Sequence, residues 1–165
     1  MFAEGQEKRG INKMFLVALV IGLALIGVAI WLLSFRPSIE EQTAQILAGS
    51  LHPGSPEYDD LNKDIIISTD PDTVQSPMGM GTISMFIKGK IRNKGNRTIT
   101  ALEVSVSVVT QFNEVLRERR ILVVPVQQPQ LGPGDIIPIT LTLDGFSRDD
   151  DRANIRWKVT AIRAQ

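Results

Sequence analysis

Few side chains in this chain are of the types that carry out catalysis or bind metals. Its 165 residues include one histidine, His52, and no cysteine. The missing cysteine excludes a cysteine nucleophile, a Cys/His zinc site, a c-type haem attachment and a disulfide framework. A hydrolase triad needs a histidine base beside a nucleophile, and His52 lies in a predicted exposed loop between Leu51 and Pro53. We therefore predict a protein that is not an enzyme, with no cofactor and no small-molecule substrate.

An acidic run formed by Asp149, Asp150 and Asp151 has two interpretations. Clustered carboxylates in loops can bind calcium, although this spacing does not follow the EF-hand pattern. The second acidic loop, at 70–72, could add ligands only if the two loops converge. Arginines flank the run on both sides at positions 148 and 152. The sequence favours a solvated turn that the arginines neutralise, and it leaves calcium binding open.

The densest basic group comprises Arg117, Arg119 and Arg120, within a predicted strand over 115–124. Charges in the middle of a strand are typical of a sheet edge, where they oppose pairing with a second sheet. The alternative is contact with an acidic partner or with lipid head groups. Lys and Arg total 18, as do Asp and Glu, and this zero formal net charge argues against nucleic-acid binding.

Residues 14–35 form an uncharged apolar run. As a helix it spans roughly 33 Å at about 1.5 Å per residue, enough for the ~30 Å hydrocarbon core of a bilayer. A cleaved signal peptide has a shorter apolar core and small residues at its cleavage site, whereas this run ends in bulky residues such as Trp31 and Phe35. We predict a single uncleaved transmembrane helix that acts as a signal-anchor.

The charges that flank the helix predict its orientation. Lys8, Arg9 and Lys13 precede it, whereas only Arg36 follows it closely. By the positive-inside rule, the tail at 1–13 is expected in the cytoplasm and the C-terminal domain in the periplasm or outside the cell. We therefore predict a single-pass protein of the cell inner membrane.

Small residues on the helix could form a packing face. Ala18, Gly22 and Ala29 fall within about 40° of one another at 100° per residue. Such a stripe lets a second helix approach closely, although alanine and glycine are common in any membrane helix. The region from 36 to 63 is predicted to be a linker with a short helix, since Ser38 and Glu41 have the spacing of a capping box.

From residue 64 to 165 the hydrophobic period changes to that of β-strands. Apolar residues alternate with polar ones over 83–92, 102–108, 137–143 and 155–161, and the loops at 70–72 and 76–77 are interpreted as turns. Pro138 predicts that its strand lies at an edge. Six or seven short strands without long helices between them predict an all-β, immunoglobulin-like antiparallel sandwich.

Glycine and asparagine punctuate this region. Gly89 falls on the apolar face of its strand, where a missing side chain permits a bulge or close packing of the opposite sheet. Asn93 and Gly95 tolerate positive φ, and we expect the turn that they form to use it.

The same residues belong to a longer pattern. Gly89, Ile91, Asn93 and Gly95 are followed by Thr98 and Ile99, by a valine-rich strand that ends near Phe112, and by the turn Leu131-Gly132-Pro133-Gly134. Over roughly 64–163 this pattern resembles FxLYD-type immunoglobulin-like domains of bacterial envelope proteins, including their L-x-P-G turn. Phe112-Asn113-Glu114 stands where the family has Leu-Tyr-Asp, and Trp157 has no firm equivalent. The resemblance implies an anchored envelope interaction domain and no chemistry.

Two functions fit these observations. The first is a membrane-anchored, extracytoplasmic domain that binds another envelope or membrane protein, with strand addition at the edge strands as one docking mode. The second is a small accessory subunit of a larger membrane complex, respiratory or photosynthetic for example, which is held mainly through its transmembrane helix. The lipid bilayer is an expected partner in both cases.

Overall fold

The structure is a computed structural model that describes residues 13–34 and 38–165, with the side chain of Met80 excepted. Lys8, Arg9 and Arg36, on which the predicted orientation depends, lie outside the described residues. The chain divides into two units, with the boundary between Gln42 and Thr43. Each unit is described by itself below.

The first long element is an apolar helix, α1, over Lys13–Ser34. None of its residues is buried in the chain. It has the length and composition to cross a membrane, a property that a signal sequence near the N-terminus shares. The apolar helix predicted over 14–35 is therefore present.

A second helix, α2, covers Ile39–Leu47. At its start, the backbone N–H of Ser38 donates to Glu41 Oε2 (2.9 Å), and the N–H of Glu41 donates to Ser38 Oγ (3.1 Å). These reciprocal bonds are those of a capping box. Gly49 follows the helix with φ of +76°, a conformation that glycine adopts at low cost.

Besides a 3-10 helix described below, the remaining elements in the described residues are one short α-helix and seven strands. They are α3 (Pro56–Asn62), β1 (Ile65–Thr69), β2 (Val74–Pro77), β3 (Ile83–Asn93), β4 (Ile99–Val109), β5 (Val115–Val124), β6 (Ile136–Phe146) and β7 (Asn154–Ala164). All strand pairs are antiparallel. In the first sheet, β6 pairs along one edge of β3, while β1 and β2 share the other edge. The second sheet has the order β5-β4-β7.

The inner faces of the two sheets form the hydrophobic core. On β3 the predicted alternation holds, with Met85, Ile87 and Ile91 buried and Phe86, Lys90 and Arg92 exposed. Strand β4 lies between β5 and β7, so its inner residues such as Val104 are fully buried. Strands β5 and β6 each have one paired neighbour and lie at sheet edges, as their charges and Pro138 predict.

Strand β2 corrects one prediction. Ser76 and Pro77 were interpreted as a turn, but they pair with Ser84 and Ile83 of β3 as the end of β2. Proline is compatible with this position because β2 lies at an edge, where its missing N–H removes no ladder hydrogen bond. The turn is instead supplied by the 3-10 helix Gly79–Gly81.

The packed unit begins before residue 64. Leu51 exchanges two backbone hydrogen bonds with Ile162 of β7, and Tyr58 and Leu61 of α3 are buried in the core. The region at 51–62, which the sequence analysis placed in the linker, therefore folds against the sheets. Its apolar residues were too few and too irregularly spaced to predict this.

The turn after β3 also differs from expectation. Neither Asn93 nor Gly95 has positive φ. Instead, the Asn93 side chain is buried and donates to the carbonyls of Arg97 (2.8 Å) and Leu131 (3.1 Å), while its Oδ1 accepts from the N–H of Gly95 (2.9 Å). A Cβ on Gly95 would collide with the Asp64 carboxylate, so a side chain at this position would displace that carboxylate. Through these hydrogen bonds Asn93 links the turn after β3 to the turn that begins at Leu131.

Candidate functional site

The second unit, Thr43–Gln165, contains both sheets, and we call it the β unit. One of its lateral sides, between the edges of β5 and β6, is closed by arginines. Arg119 Nη1 donates to the carbonyl of Thr142 (3.1 Å), and Arg117 Nη2 donates to the carbonyl of Gly145. The Arg117 guanidinium also lies 5.9 Å from the centre of the buried Phe146 ring. The two side chains of β5 therefore hydrogen-bond to backbone carbonyls at the open edge of β6, and these bonds link the two sheets.

The strand register explains why the predicted arginine group divides. Arg117 and Arg119 pair with Val108 and Val106, which face the core, so their stems point toward the other sheet. Arg120 pairs with Ser105 and points outward. The three arginines therefore point to two different sides of β5. The possible partner contact at Arg117, Arg119 and Arg120 stays a prediction.

The opposite lateral side, between β1 and β7, is open. It contains a groove of about 420 Å³, which we call the β1–β7 groove. Its lining residues come from the 51–62 region, from β1 and from β7, and they are Pro53, Tyr58, Asn62, Ile65, Ile67, Trp157, Lys158 and Val159. The lining combines apolar side chains with polar groups, among them Asn62 and Lys158, so the groove offers a partner both packing and hydrogen-bonding contacts.

Trp157 forms the inner wall of the groove. Its Nε1–H donates to Thr69 Oγ1 at the end of β1 (2.8 Å), so the indole bridges the two sheets. The ring lies over Gly89, where a Cβ would come within 3.0 Å of Trp157 Cζ2. The expected close packing at Gly89 is therefore present, and its cause is this indole.

The outer edge of β7 has unpaired backbone groups beside the groove. Near its C-terminal end the edge is covered: Ile162 pairs with Leu51, and Tyr58 Oη donates to the carbonyl of Val159 (2.6 Å). Outward-pointing groups recur at every second residue of an antiparallel edge strand. Trp157, two residues before Val159, therefore directs its N–H and C=O to the same open edge, and nothing in the described part of the chain pairs with them.

Burial affects the tyrosine that bounds this edge. Desolvation raises the pKa of Tyr58 above its ordinary value of 10.0, and the nearby Asp59 carboxylate adds to this effect. The phenol is thus a neutral donor over the whole physiological range. It fixes α3 against β7 and defines one end of the groove.

The single histidine is at the same end. His52 is exposed, and its Nδ1 lies 3.0 Å from the carbonyl oxygen of Thr160. No serine, cysteine or carboxylate is hydrogen-bonded to it in the described residues. Its contact is with the backbone, and the arrangement has no geometry of a triad.

The acidic run does not converge on one point. Asp150 Oδ2 accepts from the N–H of Ser147 (2.7 Å), while Asp151 Oδ2 accepts from the N–H of Gln111 in another loop (3.0 Å). Asp70 is paired with Lys90 (3.4 Å) elsewhere. Within 13–34 and 38–165, no group of three potential metal ligands was found.

Ala18, Gly22 and Ala29 lie on α1, where no Cβ placed on Gly22 would meet another atom within 4 Å. The packing face remains a prediction. The β1–β7 groove was not predicted from the sequence, and none of its lining residues is among the predicted contact residues. The one signal in the sequence for this groove is Trp157. Its indole is amphipathic, and it alternates along its strand with the residues that face the core.

Comparisons with known proteins give no family for this chain. No protein-family model matches it, and no curated protein matches it. Three solved structures are similar over most of their length. A crystal structure from Bordetella pertussis assigned to ApaA is 19% identical and covers 61% of this chain and 91% of its own, with a TM-score of 0.39. An X-ray structure from the Northeast Structural Genomics Consortium is 9% identical and covers 63% and 87%, with a TM-score of 0.42.

The third structure is the trimeric lipoprotein SadB of Salmonella enterica, which is 13% identical and covers 96% of this chain and 95% of its own. Its TM-score is 0.32. At these identities and TM-scores, none of the three similarities carries an argument about function.

Proposed function

We propose that this chain is a non-enzymatic, single-pass membrane protein whose β unit binds another membrane or envelope protein. In this proposal α1 is the uncleaved anchor in the cell inner membrane, the N-terminus is cytoplasmic, and the β unit lies on the periplasmic or extracellular side. The β unit is an immunoglobulin-like sandwich of the FxLYD type. The strand orders β1-β3-β6 and β5-β4-β7 and the motif joined by Asn93 support that assignment.

The observation that carries the proposal is the asymmetry of the two lateral sides. Arg117 and Arg119 occupy carbonyls along the β6 edge, whereas the β7 edge beside the groove has free backbone groups at Trp157. An extended segment that added to β7 would gain main-chain hydrogen bonds. Its alternate side chains would enter the β1–β7 groove, because successive residues of a strand point to opposite faces.

Anchoring supplies the second element of the mechanism. A tether confines the β unit to the membrane surface and raises its effective concentration for a partner in the same membrane. Strand addition over a few residues then gives useful occupancy even where its affinity in solution is low. The accessory-subunit function differs in that α1 itself, through Ala18, Gly22 and Ala29, holds the partner.

The test is the size of the particle that contains the full chain after mild detergent extraction from its native membrane. Two changes are compared: Ile67→Glu, which places a charge in the groove, and leucine at Ala18, Gly22 and Ala29. Phe112→Glu, which makes the same kind of change at an exposed position in the loop between β4 and β5, is the matched control. Thermal unfolding of each variant confirms that its β unit is folded.

We expect wild type and Phe112→Glu to migrate in the same particle with a partner of fixed stoichiometry, and Ile67→Glu to migrate alone. Loss of the particle only in the leucine variant would favour the accessory-subunit function. A monomeric wild-type chain with no co-migrating protein in any variant would contradict both functions.

A further inference from the structure

The outer face of the first sheet has an unusual concentration of basic and apolar side chains. Lys88, Lys90 and Arg92 occupy alternate positions of β3 and point to this face, away from the core. Their spacing puts the three cations in one row at the centre of the sheet, since β3 has neighbours on both sides. We call this surface the basic face.

Exposed apolar side chains lie beside the basic row. Arg92 pairs across the ladder with Ile66 on one side and Ile136 on the other, which are 38% and 51% exposed. At the far end, Phe86 (40% exposed) pairs with Val74 (54% exposed). These four make up half of the eight exposed large hydrophobic residues described in the β unit, so apolar exposure is concentrated on this face.

The negative groups on this face lie at its margins. Asp70 follows the β1 edge and pairs with Lys90 (3.4 Å), and Asp144 at the end of β6 accepts a hydrogen bond from Ser84. Lys88 Nζ lies 6.0 Å from the centre of the Phe86 ring, and Arg92 makes no ion pair with any described residue. Lys90 is thus neutralised by Asp70, while Lys88 and Arg92 on either side of it offer cations to an external anion.

The outer face of the second sheet differs. It also presents cations, among them Arg120, Arg156 and Lys158, but Glu103 and Glu118 lie among them on neighbouring strands. Of the eight exposed large hydrophobic residues, only Val115, which pairs with Val109, falls on this face. The second outer face thus carries cations among acidic rather than apolar side chains, which provides an internal control.

We propose that the basic face binds the anionic surface of the bilayer that holds α1. This inference rests on the membrane anchor of the proposed function. Lysine ammonium and arginine guanidinium groups bind lipid phosphates, and isolated Phe, Ile and Val side chains that flank them enter the interfacial region. The face is the surface of a sheet and not an open strand edge, so it fits a membrane better than it fits an extended peptide that adds as a strand.

The orientation that follows has a functional consequence. The basic face is a flat side of the β unit, whereas the β1–β7 groove is at a lateral side of the two sheets. A β unit that lies on the bilayer through its basic face would direct the groove along the membrane plane. Segments of other proteins at the membrane surface would then meet the open edge of β7.

The test uses the full chain reconstituted into vesicles of phosphatidylcholine, with or without a quarter of phosphatidylglycerol. Because the chain has no cysteine, a single Thr140→Cys on the basic face, or Leu122→Cys on the other outer face, accepts an environment-sensitive fluorophore. A lipid-borne quencher then reports how close each label lies to the bilayer. The charge variants are the triple reversals K88E/K90E/R92E and R120E/R156E/K158E.

We expect quenching at position 140 to be about threefold stronger with phosphatidylglycerol than without it, and to fall as salt screens the charges. The reversal on the basic face should remove this difference, and the reversal on the other face should preserve it. Equal quenching in both vesicles, or equal loss in both reversals, would overturn the inference. Unchanged quenching in K88E/K90E/R92E, together with loss of the co-migrating protein from its detergent-extracted particle, would assign the face to an acidic protein partner and overturn the inference as well.

Flotation separates this inference from the proposed function. If the chains float with carbonate-washed vesicles but show no lipid-dependent quenching, the anchor is retained and the membrane contact of the basic face is refuted. Chains that do not float refute the anchor, and the inference that depends on it fails with it.

Discussion

Replacing Gly89 with alanine is expected to destabilise the β unit, because the new methyl group has no space. Its carbon would lie 3.0 Å from the carbonyl oxygen of Ser68 and 3.0 Å from Trp157 Cζ2, with Ile139 Cγ1 at 3.4 Å. The Ser68 carbonyl belongs to the β1 backbone, where the β1–β3 ladder limits its movement. The indole is held by its hydrogen bond to Thr69.

The magnitude follows from two opposing effects. Overpacking a core position costs about 1–3 kcal/mol. Replacing glycine with alanine also lowers the entropy of the unfolded chain, which recovers about 0.4–1 kcal/mol. The net loss in the free energy of unfolding is therefore about 1–2 kcal/mol, which lowers Tm by roughly 4–8 °C for a domain of this size.

The assay is urea and thermal unfolding of the full chain in detergent, followed by circular dichroism. Gly79→Ala is the matched control, since a Cβ there meets no atom within 4 Å. Trp157→Phe removes Cζ2, so the cost of Gly89→Ala should be smaller in that background by about 0.5–1 kcal/mol. Equal stability of Gly89→Ala and Gly79→Ala would refute the packing argument.

Three further predictions concern Asn93 at the end of β3, Tyr58 at one end of the β1–β7 groove and Asp70 at the margin of the basic face. Asn93→Ala should lower the free energy of unfolding by about 3 kcal/mol, measured in urea, because buried backbone groups in two turns lose their partner; a loss similar to that of an exposed asparagine would contradict this role. Tyr58→Phe should cost about 1 kcal/mol, because the carbonyl of Val159 loses its donor. Tyr58 is the one tyrosine, and its pKa is raised in the fold, so the midpoint of its absorbance titration should lie above pH 10.0 and return to that value in urea. Stability should therefore fall as pH rises above 10.0. A folded-state midpoint at or below 10.0 would contradict burial of the phenol. The pKa of Asp70 is lowered from 3.8, first by the backbone N–H of Asp72 and then by Lys90. The contribution of this carboxylate to stability is therefore present above pH 3.8 and is lost as pH falls below it. Carbon-detected NMR should show the lowered pKa, and Lys90→Ala should reverse only part of the shift.

The sequence predicted the elements whose signal is local. The alternation along β3 gave its inner face, the uncharged run gave α1, and the charges on β5 and Pro138 on β6 placed both strands at edges. Each of these patterns depends on residues within one element. The antiparallel two-sheet architecture followed from the number and spacing of such elements.

The features that were missed depend on contacts between distant residues. Trp157 packs on Gly89 from the other sheet, and Arg119 reaches a carbonyl on β6, and no periodicity within a strand encodes either contact. Strand β2 was missed because Pro77 indicates a turn unless the strand is known to lie at an edge. The groove was missed because it exists only once β1 and β7 face each other across an open side.

The most direct test of the central claim places a photo-crosslinking amino acid in the full chain in its native membrane. Asn62 lines the β1–β7 groove and is partly exposed, whereas Arg120 lies on the outer face of β5. The account predicts one discrete crosslinked product from position 62 and none of that mass from position 120. The same products from both positions, or a product only from positions on α1, would contradict a binding site at the open side of the β unit.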